Sequence, residues 1–178
     1  MIPVNGKIIV SVDLEQKNKM LIDGMEFYTA TKFETNYREK SPTIATVVDG
    51  NEFVKAGDIL LCHHNLFYLP SPYHLYDNLY AIPFSKVLFA KIDKEGNIEP
   101  ICGNVIVERI AKKEMFSVEH KTEDKIYRLI DKGWTTYKNG SILFTRPSAG
   151  YDIVYNIDGI EKRITKVDSE QICGVVKP

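Results

Sequence analysis

A glycine turn followed at once by a run of apolar residues occurs twice in this chain, and that repetition constrains the fold more than any other feature. Lys55-Ala56-Gly57-Asp58 feeds into Ile59-Leu60-Leu61-Cys62, and Lys138-Asn139-Gly140-Ser141 feeds into Ile142-Leu143-Phe144-Thr145. A glycine where a positive φ is expected, set just before aliphatic residues, predicts a turn that throws the chain into a buried strand. Two copies predict two modules.

The flanks repeat in the same order. Gly6-Lys7-Ile8-Ile9-Val10 corresponds to Gly103-Asn104-Val105-Ile106-Val107. The closing stretch 168–176 parallels Pro83-Phe84-Ser85-Lys86 and the apolar run after it. β-Branched content predicts further strands over 43–48, 126–130, 151–155 and 162–167, with a hairpin turn at Asp158-Gly159. Asp93-Lys94-Glu95-Gly96-Asn97 is the strongest turn signal, which predicts modules over 1–93 and 96–178. Short strands separated by turns predict an all-β chain of two tandem small β-barrels with long loops.

Two segments stand apart from this pattern. Between the first two strands, Met20-Leu21-Ile22, the turn Asp23-Gly24 and Met25-Glu26-Phe27-Tyr28 read as a hairpin or as a long loop with exposed apolar anchors. Residues 66–80 are rich in tyrosine, and Pro70 and Pro72 forbid a regular helix there. An extended arm or long loop results, with more large apolar side chains than a free loop leaves in water. Phe67, Tyr68, Tyr73, Tyr76 and Tyr80 are its candidates for gripping a neighbouring subunit.

Composition narrows the function classes. With 178 residues, 44% of them hydrophobic, and 23 basic against 24 acidic side chains, the chain has no general attraction to nucleic acid or to anionic membrane. Its apolar runs fall far short of a membrane span, and the start MIPVNGKIIV lacks the pattern of a signal peptide, which favours a cytoplasmic location. Cys62, Cys102 and Cys173 are an odd number at wide spacing, neither a disulfide framework nor a zinc pattern. Cys62, His63 and His64 with nearby His74 invite a metal reading, but alternation along a strand sends Cys62 and His64 one way and His63 the other. Acidic pairs are scattered, no group is placed to orient a Cys/His base, and Arg109, Arg128, Arg146 and Arg163 do not cluster. The expectation is no catalytic residue, no metal and no cofactor, hence no enzyme. Trp134 reads either as an interface anchor or as a cap on the second core.

These motifs together resemble the GroES-like co-chaperonins. Lys55-Ala56-Gly57-Asp58-Ile59-Leu60 is similar to that family's K-x-G-D-x-[VI] turn and strand, and Asp168-Ser169-Glu170-Gln171-Ile172-Cys173-Gly174-Val175 to its closing segment. Ser141 departs from the pattern where the second copy's aspartate is expected, and neither half has an obvious long roof hairpin. The resemblance implies a loop after the first strand that docks a chaperonin through an apolar tripeptide. It places Met20, Leu21, Ile22, Met25, Phe27 and Tyr28 there, with a charged Glu26 inside the cluster, and offers Met115-Phe116-Ser117-Val118 as a poorer counterpart. Two expectations follow: an oligomeric co-chaperonin-like protein whose partner is a chaperonin, or a structural subunit, a viral capsid or decoration protein located in the virion and clamped to its neighbours by the 66–80 arm.

Overall fold

The computed structural model describes residues 6–12, 19–22, 25–28, 44–67, 71–110, 126–157 and 160–178. The chain is all-β, with antiparallel sheets of seven and six strands and a separate two-stranded one. It divides into two compact units, Met1–Glu95 and Gly96–Pro178. Among the described residues the only helical geometry is a pair of short 3-10 turns, His64–Phe67 and Ser169–Gln171.

In the first unit the strands are β1 (Lys7–Ser11), β2 (Lys19–Ile22), β3 (Met25–Tyr28), β4 (Ile44–Asp49), β5 (Ile59–Cys62), β6 (His74–Tyr76), β7 (Leu79–Pro83) and β8 (Leu88–Ile92). Six of them lie side by side in the order β6-β7-β1-β4-β5-β8, while β2 and β3 pair with each other. Period-two alternation sends one set of side chains inward: Ala45 and Val47 on β4, Tyr80 and Ile82 on β7, all at most 2% exposed. Burying a side chain the size of Val47 or Ile82 stabilises the fold by roughly 1.5–3 kcal/mol.

The second unit opens with β9 (Ile98–Pro100), then β10 (Asn104–Arg109), β11 (Ile126–Asp131), β12 (Ile142–Thr145), β13 (Tyr151–Ile157), β14 (Ile160–Asp168) and β15 (Ile172–Val176). Its sheet runs β13-β14-β10-β11-β12-β15, the first unit's order repeated strand for strand. Val105, Val107, Tyr127, Leu129, Leu143, Ala149 and Val167 form its core, with Tyr137, Ile172 and Val175 packed against them.

The repetition extends to register. A bulge between Ile9 and Val10 shifts β1 against β4, and one between Ile106 and Val107 shifts β10 against β11, after Ile9↔Asp49 and Ile106↔Asp131 respectively. A second bulge falls between Leu61 and Cys62 and again between Phe144 and Thr145. The two glycine turns match as well. Gly57 and Gly140 take φ of 90° and 84°, a region an L side chain avoids. The Gly57 amide donates to the Val47 carbonyl at 2.8 Å and the Gly140 amide to that of Leu129 at 2.7 Å.

Closure into barrels, expected from the sequence, is not among the described pairings. In the second unit β13 and β15 end the order, and no described pairing joins them. The 66–80 segment also differs from an extended arm: it holds the end of the His64–Phe67 turn, β6 and the start of β7, and β6 and β7 form a hairpin with His74 opposite Tyr80. The Ser71 hydroxyl, donating to the Leu66 carbonyl at 2.6 Å and accepting from the Tyr73 amide, ties the turn to that hairpin without a helix.

Candidate interaction surfaces

The segment expected to dock a partner is a paired hairpin. Lys19 stands opposite Tyr28, Met20 opposite Phe27, Leu21 opposite Glu26 and Ile22 opposite Met25. In register the apolar pairs Met20–Phe27 and Ile22–Met25 alternate with Lys19–Tyr28 and Leu21–Glu26. Glu26, an anomaly inside a linear tripeptide, is paired in register with Leu21. The turn Asp23-Gly24 and the second-half counterpart at Met115-Phe116-Ser117-Val118 lie outside the described residues.

The aromatic candidates in 66–80 divide between interior and surface. Phe67 and Tyr80 are 2% and 0% exposed and meet edge to face, ring centroids 5.2 Å apart. They serve the core of the first unit and are not available to grip a neighbour, because β7 pairs with β1 and Tyr80 sits opposite Val10. Burial raises the Tyr80 phenol above its ordinary pKa, and its hydroxyl meets no hydrogen-bond partner among the described residues. Tyr73 is half-buried, Tyr76 and Leu75 are exposed at the hairpin end, and Tyr68 lies outside the described residues.

β5 ends at Cys62, and the His64–Phe67 turn carries the chain away from it. His63 Nδ1 accepts from the Asn65 amide at 3.1 Å, and His74 Nε2 lies 2.9 Å from the Asp77 carbonyl oxygen. Desolvation pushes the Cys62 thiol far above its ordinary pKa, and Cys102 up to about 11, so neither is a ready thiolate. Among the described residues no group of three metal-ligating side chains converges. Trp134 is exposed and donates its indole N–H to Glu99 Oε1 at 3.0 Å, on the surface and not over the core. No described helix is long and apolar enough to cross a membrane.

One surface was not marked in the sequence. Ile130 on β11, Phe144 on β12 and Val176 on β15 are 48%, 38% and 55% exposed, on three adjacent strands of the second unit. Comparison with protein-family models, with curated proteins and with solved structures finds no match for this chain.

Proposed function

We propose that this chain is a non-enzymatic, co-chaperonin-like protein of two tandem GroES-like modules, which assembles and docks a chaperonin through the hairpin 19–28. The observation that carries the reading is the separate two-stranded sheet β2-β3 between β1 and β4, where the family resemblance places its docking loop. A short paired strand with the apolar register pairs Met20–Phe27 and Ile22–Met25 suits a partner that receives it in an apolar groove. The duplicated sheet order, the repeated bulges and the repeated glycine turns support reading each unit as one module of that kind. No cofactor enters such a function.

The test is size-exclusion chromatography with light scattering, with and without a chaperonin and ATP. A discrete oligomer that co-elutes with the chaperonin, and ceases to when Phe27→Asp is introduced, is the expected result. A particle that ignores the chaperonin under all nucleotide conditions would sink the reading. The alternative, a capsid or decoration subunit, draws on the exposed Leu75 and Tyr76 at the end of the β6-β7 hairpin. It predicts instead that Tyr76→Asp abolishes binding to a preformed lattice while Phe27→Asp leaves it intact.

A further inference from the structure

We propose that Lys166 and Asn104 are the two halves of an intramolecular amide crosslink, made by the folded chain itself, that staples β14 to β10.

The three groups such a reaction needs stand together on one face of the second sheet. Lys166 Nζ lies 3.0 Å from Asn104 Oδ1, and the carbon it must attack, Cγ, is bonded to that oxygen. Asn104 is 0% exposed and its Nδ2 donates to the Ile101 carbonyl at 3.0 Å, so the amide is held in one orientation and shielded from water. Asp168 is directly opposite Asn104 in the ladder and two residues from Lys166, which puts its carboxylate on the same face as both. It too is buried, 8% exposed. Ile106 on β10 and Tyr151 on β13 stand opposite Lys166 on its two sides, with Nζ 5.8 Å from the centroid of the Tyr151 ring. The half-buried amine is thereby held against the amide, the arrangement that raises effective concentration.

The first unit supplies the internal control. By register, Lys7, Ala81 and Pro83 occupy the places of Asn104, Lys166 and Asp168. An amide, an amine and a carboxylate gathered where the other unit has an exposed lysine, an alanine and a proline are not a requirement of the fold. Burying such groups costs desolvation that apolar side chains avoid, so their presence together points to chemistry.

The step needs no co-reactant. The proton that the ammonium form of Lys166 must first lose goes to solvent. Nζ then gives its electron pair to Asn104 Cγ, the Cγ–Nδ2 bond breaks, and one proton passes from Nζ to Nδ2 by way of the Asp168 carboxylate. Ammonia leaves, and nothing is oxidised or reduced. The new bond joins positions 62 apart in sequence, so it restricts the unfolded chain as a disulfide does, in a chain whose three cysteines are all free.

Intact-mass spectrometry of the full chain tests this, with Lys166→Arg prepared alongside; arginine keeps the charge and a donor for Oδ1 but is no nucleophile. The expected wild-type mass is one ammonia below that of the 20.3 kDa sequence, and tryptic digestion should yield a branched peptide joining Asn104 to Lys166. Lys166→Arg should keep the full sequence mass. Asp168→Asn retains an oxygen for the Glu170 amide, which Asp168 Oδ1 accepts at 3.0 Å, but cannot carry the proton, and should slow crosslinking at least about hundredfold. The wild-type mass decides without any variant, so a folding defect in either one leaves the test standing. Wild type still at full sequence mass after a week, an ammonia loss that digestion maps elsewhere or that persists in Lys166→Arg, or folded Asp168→Asn that crosslinks as fast as wild type would overturn the proposal. Chaperonin binding does not enter this result.

Discussion

The two units share strand order, bulges and glycine turns, yet they treat equivalent positions differently. Asp58 and Ser141 occupy the same place in the two turns. Asp58 accepts from the Lys55 amide and bridges Lys91 Nζ, both at 2.9 Å. In the second unit Val175 holds the register position of Lys91, opposite Leu143 as Lys91 is opposite Leu60, and Ser141 is buried, its hydroxyl meeting no partner among the described residues. An ion pair in one copy has become a serine and a valine in the other. The backbone scheme survived that exchange because it rests on glycine φ and main-chain hydrogen bonds, and the side chains only decorate it.

The sharpest way to separate the copies is the face that one covers and the other bares. Leu61→Ala should cost about 3 kcal/mol, the usual price of emptying a fully buried leucine site. Phe144→Ala removes a larger side chain at the same register position but should cost about 1 kcal/mol or less, since the ring is 38% exposed. Urea unfolding of the full chain measures both. Equal losses would break the comparison by showing that Phe144 is covered after all.

Next in size is the transplanted ion pair. Ser141→Asp alone puts a carboxylate at a fully buried position with no cation opposite, which should destabilise the second unit by about 3 kcal/mol. Adding Val175→Lys should recover about half of that loss. A double-mutant cycle reads the coupling directly. Additive losses would mean that the second turn does not reproduce the Asp58 geometry.

Much of this scaffold could be read from the residues. β-Branched runs and glycine turns announced β1, β4, β5, β10, β11 and β12, and the matched flanks announced the repeat. The β6-β7 hairpin was hidden because β6 is three residues long and exposed throughout, so it has no alternation to detect, and the prolines before it argue only against helix. Tyr80 was grouped with the surface aromatics although strand pairing with β1 takes it inside. The apolar face of the second unit was invisible for a different reason. Ile142-Leu143-Phe144 and Ile59-Leu60-Leu61 are apolar on both faces, and whether the outer one is covered is decided by tertiary packing.

The smallest effect concerns acid. Desolvation raises the Asp58 pKa, but the hydrogen bond from the Lys55 amide and the bond and charge of Lys91 outweigh it and hold the carboxyl below its ordinary value. A carboxyl whose pKa is lower folded than unfolded stabilises the fold above the unfolded value of about 4, and that contribution drains away as pH falls through the folded value. The first unit should therefore lose about 1 kcal/mol on acidification that Asp58→Asn does not lose, since the amide cannot titrate. The asparagine variant begins less stable at pH 7, and the two stability curves should converge toward pH 2. Ser141 cannot titrate at the equivalent place, so Ser141→Ala should leave the pH profile unchanged in shape. Unfolding by urea at pH 7, 5, 3 and 2 decides it: parallel curves for wild type and Asp58→Asn would show that the Asp58–Lys91 pair contributes nothing to folding. The difference between the two turns would then be one of side-chain identity without consequence for stability.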